Sequence, residues 1–180
     1  TAHNGLVVFS VILFFIGLCV KGAIFPFYFW LPEAYPHTSH SSTMLLASLV
    51  TKAVMIVLLR LVWLWHPLAA HLLIMIFMTL ACCTMFFGVM GAATNYNIKQ
   101  ILSFHIISQL GYIVLALFIP TQLAIVAMLY FLIHNIFVKT NLLMTAGVIE
   151  KQYGHSDLST VGLIAKSCPL LAVVYLLEAL

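Results

Sequence analysis

Residues 6–30 read LVVFSVILFFIGLCVKGAIFPFYFW, an apolar run with Lys21 beyond its middle and Pro26 five residues later. At ~1.5 Å per residue such a run reaches across a ~30 Å hydrocarbon core, so it predicts a membrane helix. Two residues argue against a plain anchor. Proline removes a backbone donor and frees a carbonyl, which predicts a break near Pro26. Broken helices at membrane depth occur where backbone lines a cavity or an ion site. Lys21 beside that break carries a charge that costs about 2.5–3.5 kcal/mol at the bilayer centre on insertion scales. Its depth argues against a chain that merely reaches for headgroups.

The same conflict recurs at Lys52 and Lys139, each inside another apolar run. Three such lysines oppose insertion by roughly 8–10 kcal/mol if the terms add. A structural filler does not justify that penalty, whereas a side chain that takes up and releases protons does. Desolvation and neighbouring charge are the levers that make such a lysine switchable.

Outward from these runs, the composition settles the class. Hydrophobic residues make up 64% of the chain and charged ones 6%, with a mean hydropathy of +1.19, which a water-soluble surface cannot accommodate. The reading is an all-α membrane protein, a polytopic helical bundle with a broken helix. Spans are expected at about 6–30, 42–65, 68–93, 98–119 and 122–149, with a truncated one at 169–180. Pro32 to Ser41 reads as a polar turn, and Glu150 to Ser167 as a longer polar loop with a turn at Tyr153 to Asp157. The chain starts at Thr1 with no signal-peptide pattern and stops inside an apolar run, so it reads as an internal fragment of a larger transporter. Lys99, Lys151 and Lys166 fall on one side and Arg60 on the other, which predicts a cytoplasmic Lys99 side.

Polar residues around the lysines extend the site. Ser48 lies one turn before Lys52, and Asn135 shares a face with Lys139. His134 is a candidate relay, since imidazole titrates near neutrality. His105, Gln109 and Tyr112 follow i, i+4, i+7 spacing and form one polar stripe, suited to a water chain or to interhelical hydrogen bonds. Other chemistries find no pattern. No metal or haem spacing occurs, the four carboxylates are scattered from Glu33 to Glu178, and the net charge of +3 is dispersed, so metal, cofactor and nucleic-acid roles are not expected.

Four blocks, in order, carry a resemblance: KGAIFPFYFWLPEAYP from Lys21 to Pro36, LVTK from Leu49 to Lys52, IKQILSFHIISQLGY from Ile98 to Tyr112, and YFLIHNIFVKT from Tyr130 to Thr140. Together they resemble the antiporter-like membrane subunits shared by respiratory complex I and Mrp-type multisubunit cation/proton antiporters, and most of all the Mrp-type D subunit. The resemblance implies the seventh to eleventh transmembrane helices, and the start of the twelfth, of a roughly fourteen-helix subunit. It assigns Lys21, Lys52, His134 and Lys139 to the proton path. It places a glutamate partner of Lys21, and a later ionisable residue, outside this chain. The usual Pro-Thr-Pro stretch is replaced by HTSHSS from His37 to Ser42, and Glu178 stands at a usually apolar position. Gln109, often histidine in complex I relatives, favours the Mrp side.

The expected function is therefore that of a sodium/proton antiporter subunit in a bacterial inner membrane, a transporter and not an enzyme, needing no cofactor and assembled with other membrane subunits. The alternative is a proton-pumping subunit of a complex I-like NADH:quinone oxidoreductase or a membrane-bound hydrogenase.

Overall fold

A computed structural model describes residues 2–65, 71–119, 121–154, 157 and 173. Helix α1 (Ala2–Lys21) is followed by an irregular segment, the short α2 (Trp30–His37), and α3 (His40–Leu45). A π-helical turn (Leu46–Val50) joins α3 to α4 (Thr51–Trp65), and α5 (His71–Thr94), α6 (Ile98–Leu117) and α7 (Gln122–Tyr153) follow. Among the described residues, four stretches are long and apolar enough to cross a membrane: His40–Val62, Ile74–Thr94, Ile98–Leu117 and Gln122–Gln152.

The first helix breaks earlier than Pro26 suggests. It ends at Lys21, where Ala23 takes φ 51° and the amides of Ala23 and Ile24 donate to the carbonyls of Val20 and Cys19 at 3.2 and 3.0 Å. That double bond with a left-handed residue is a Schellman ending, here with alanine where glycine is usual. The segment that leaves it is tied down from two sides. The Phe25 amide donates to Thr84 Oγ1 of α5 at 2.9 Å, and Trp30 Nε1 donates to the Val20 carbonyl at 2.8 Å.

The turn expected from Pro32 to Ser41 is mostly helix. Proline removes only a donor, and Pro32 stands third in α2, where the amide has no intrahelical acceptor. Pro36 falls next to the end, and Leu31, Pro32 and Tyr35 are buried against the bundle. The second membrane helix also begins before Ser42. Ser39 caps it by accepting from the Ser42 amide, and its carbonyl receives the Thr43 amide at 2.9 Å.

Helix α6 is the centre of the bundle, packed against α2, α4, α5 and α7. Asn97 caps it by accepting from the Lys99 amide at 3.0 Å. Its seam with α5 is set by small residues, as expected in lipid, where close packing replaces the hydrophobic drive. A side chain at Gly88 would meet the Ser108 backbone, and one at Gly111 would meet the Ala81 carbonyl and Met85. Thr121 caps α7, which runs on past Ile149 to Tyr153 and stops at Gly154, φ 78°. Glu150 is thus helical, not part of a loop. Large apolar side chains such as Phe9, Phe86, Leu123 and Phe137 face outward, the arrangement of a surface wetted by lipid or by neighbouring subunits. The span expected at 169–180 and Lys166 lie outside the described residues, apart from Val173.

Candidate functional site

Two of the three lysines come together. Lys52 on α4 is 2% exposed and Lys139 on α7 is 4% exposed, and their charges act on each other across the bundle. The π-helical turn leading into Lys52 matters here. A fifth residue in a turn displaces the backbone ladder and frees carbonyls, which is why such turns concentrate at functional sites. The Lys52 ammonium donates to the Ala47 carbonyl within that turn, and Thr51 Oγ1 donates to the same oxygen at 3.3 Å.

Further buried polar groups stand on the π-helical turn, α6 and α7. Asn135, one turn before Lys139, is 3% exposed, and its Oδ1 is buried without a hydrogen-bond partner. The Oε1 of Gln109 on α6 is in the same condition. His105, one turn before Gln109, is exposed on one side yet within electrostatic reach of Lys139. Ser48 is buried and donates to the Met44 carbonyl at 2.7 Å. A compartment of this kind, ionisable at two points and rich in unfilled acceptors, suits protons moving by short transfers.

Lys21 and His134 stand elsewhere. Lys21 occupies the C-terminus of α1, where the helix dipole favours a cation. It is exposed in an apolar cleft of about 390 Å³ lined by Leu18, Leu49, Val50, Ala53, Val54 and Val57. That cleft uses the outer face of α4, whereas Lys52 points inward. His134 is exposed and stacks on the Tyr130 ring at 6.5 Å, because Asn135 and Lys139 take the inward face and adjacent residues diverge by ~100°.

One cluster escaped sequence reasoning. Lys99, read there as a loop charge, has its side chain 5% exposed and ion-paired to Glu150 at 2.8 Å. His40 Nε2 approaches the same carboxylate oxygen at 3.6 Å. The cluster joins the starts of α3 and α6 to the end of α7. The available signal was the cap at Asn97, which puts Lys99 inside a helix. Buried hydroxyls were also undervalued, notably Thr43, Thr51, Thr84 and Ser103.

With this geometry in place, similarity to known proteins is informative. The family described as "NADH:quinone oxidoreductase/Mrp antiporter, TM" matches residues 1–180. The D subunit of the Na(+)/H(+) antiporter of Alkalihalophilus pseudofirmus is 40% identical over 172 residues, covering 94% of this chain and 34% of the relative. The corresponding D subunit of the Na(+)/H(+) antiporter of Bacillus subtilis is 30% identical over 183 residues, covering 100% and 36%. The chain thus spans about a third of the length of these curated relatives. A chain of the Mrp complex from a Dietzia species superposes with a TM-score of 0.86 at 30% identity, covering 91% of this chain and 30% of that one. A chain of an archaeal respiratory membrane complex, the membrane-bound sulfane sulfur reductase, gives 0.82 at 26% identity, covering 90% and 34%. A broken helix, lysines buried on two membrane helices and a match over all 180 residues place this chain in the NADH:quinone oxidoreductase/Mrp antiporter transmembrane family.

Proposed function

We propose that this chain forms part of a membrane subunit of a sodium/proton antiporter in a bacterial inner membrane, assembled with other membrane subunits. In this reading it conducts protons through Lys21, Lys52, Lys139 and His134. The observation that carries it is the burial of Lys52 and Lys139, from two different helices, within range of each other's charge. Two lysines in one apolar compartment have no structural rationale, since apolar residues of similar volume would stabilise the bundle better. As carriers they have one. A proton passing from the ammonium of one lysine to the neutral amine of the other through intervening polar groups keeps the charge in the compartment constant.

Each step is a reversible protonation at nitrogen. A protonated Lys52 holds its charge on the Ala47 carbonyl. Losing the proton frees that oxygen, for which Thr51 also competes. Asn135 and Gln109 offer acceptors near Lys139 and His105. Lys21, in its separate cleft, stands at the α1 break where a carboxylate from a neighbouring helix has room to approach.

The second reading, a proton-pumping subunit of a redox complex, is favoured by the superposition on the archaeal respiratory complex. Both readings use the same lysines and differ in the source of driving force.

The test uses the full-length subunit in its complex, in everted vesicles, with Lys21→Ala, Lys52→Ala and Lys139→Ala. Loss of proton transport at normal assembly is expected for each. Undiminished transport in all three would overturn the proposal, and sodium-dependent transport without an electron donor separates the antiporter from the redox pump.

A further inference from the structure

The cluster of His40, Glu150 and Lys99 has no part in the path above, yet it is built with care. Its three side chains come from α3, α7 and α6, and they differ sharply in access. The His40 and Glu150 side chains are 38% and 30% exposed, while that of Lys99 is 5% exposed. The imidazole and the carboxylate side chains are thus partly exposed, the shared Oε2 is buried between the groups, and the cation behind them is sealed. The imidazole lies close against α7: a side chain at Gly147 would come 2.9 Å from His40 Nδ1 and would displace the ring. The other charged or titratable groups near this end, among the described residues, are the exposed Lys151 on α7, the exposed His37 and the buried Tyr35 on α2, the exposed Tyr96 before α6, and the exposed Asp157, bridged to Asn97 through the backbone.

From His40 inward the helix is polar on its buried side. Thr43, Ser48, Thr51 and Lys52 follow at helical spacing, all 8% exposed or less. Each hydroxyl is tethered to the preceding turn: Thr43 to the Ser39 carbonyl at 3.0 Å, Ser48 to Met44 at 2.7 Å, and Thr51 to Ala47 at 3.3 Å. Their oxygens keep lone pairs that can accept a further proton donor. Ser103, fully buried on α6, stands one turn inside Lys99. The stripe covers on the order of 18 Å, more than half of a ~30 Å hydrocarbon core.

We propose that His40 and Glu150 are the proton-loading site at this end of the bundle, with Lys99 paired to the carboxylate from behind, and that the hydroxyl stripe running from α3 into α4 links it to Lys52. The proposal rests on the transport reading above and adds a site to it. With His40 neutral the cluster sums to zero charge. One proton, taken from water onto the imidazole, makes it +1, with the Glu150 carboxylate 3.6 Å from Nε2. The same proton then passes inward as the ring returns to neutral, so the site carries one proton per cycle and no other species.

The experiment measures proton transport by the full complex in vesicles for His40→Gln, with Thr43→Val as a second interruption, at about pH 8 and about pH 6, so that free protons are scarce in one and plentiful in the other. Both variants are expected to assemble and to lose on the order of tenfold or more in rate at the higher pH, where free protons are scarce. His40→Gln should approach wild type at the lower pH, where direct protonation from water replaces the relay. Wild-type rates in His40→Gln at both pH values would overturn the proposal. So would a pH-independent loss that tracks the amount of assembled complex, since that marks a purely structural cluster. Lys52→Ala is measured alongside. If it also transports normally, the proton-path reading itself fails. If it is inactive while His40→Gln is normal, only the loading site fails.

Discussion

Replacing Gly88 with alanine tests the packing on which the whole site depends. The added Cβ would lie 2.6 Å from the Ser108 amide nitrogen and 2.8 Å from its Cα. Ordinary contact begins near 3.5 Å, so α5 and α6 must separate by about 0.9 Å at this level. Neither obstructing atom can rotate away, because both are helix backbone. A radial gap of that size forfeits a quarter to a half of the dispersion attraction of the atoms it separates. In lipid, packing is the main force holding this seam. The expected cost is about 1–3 kcal/mol, the range for forced expansion of a close-packed interior. The assay is unfolding of the purified complex in mixed micelles with rising SDS, supported by its thermal midpoint in detergent. Gly17→Ala is the control, since nothing lies within 4 Å of that position and alanine favours a helix interior. Gly88→Ala at or above the stability of Gly17→Ala would refute the close approach of α5 and α6. It would also remove the ground for placing Ser108 and Gln109 where they are described.

Two further substitutions probe the break after Lys21. Thr84→Val removes the acceptor of the Phe25 amide, so destabilisation of about 1–3 kcal/mol is expected in the same SDS assay, and an unchanged midpoint would mean the amide finds another partner. Ala23→Gly relieves a left-handed alanine, so it should raise stability by about 1 kcal/mol, and a loss of stability would show that φ 51° carries no strain.

Much of the bundle was legible because its signals are local. Runs of apolar residues mark helices at ~20-residue length whatever they pack against, and the resemblance blocks fell, in order, on the end of α1 with α2, the start of α4, α6 and α7. The misplacements share one cause. Pro26 is a strong breaker, but α1 already stops at Lys21, through a hydrogen-bond pattern around Ala23 that any residue pair can adopt if the fold holds it. Pro32 and Pro36 looked like turn formers, yet at the third and penultimate positions of a short helix they interrupt little. The site divides along similar lines. Depth in an apolar run gave Lys52 and Lys139 their importance, and helical phase alone joined Asn135 to Lys139. Which lysines face one another depends on how helices rotate about their axes, which no local pattern encodes. Lys99 was misread for that reason. A cation near a span's end is ordinarily solvated, and only the arrival of Glu150 from α7 makes it a buried ion pair.

The widened turn beside Lys52 can itself be tested. Lys21 reaches into a cleft against Leu49, Val50, Ala53 and Val57, on the outer side, whereas Lys52 is turned inward. The π-helical turn at Leu46–Val50 takes up the equivalent of one extra residue between α3 and α4. Deleting Leu49, an exposed residue within that turn, returns the ladder to α geometry. Because the wide turn had absorbed that residue, α4 keeps its phase and Lys52 stays on the inner face. What changes is the Ala47 carbonyl, which the restored ladder engages, so the Lys52 ammonium loses its acceptor. Transport in vesicles should fall towards the level of Lys52→Ala, with assembly retained because both faces of α4 keep their neighbours. Reinserting alanine at the deleted position should restore transport, since the turn needs a residue there and not a particular side chain. A deletion variant that assembles and transports like wild type would refute this account, because the lysine would then work without the widened turn.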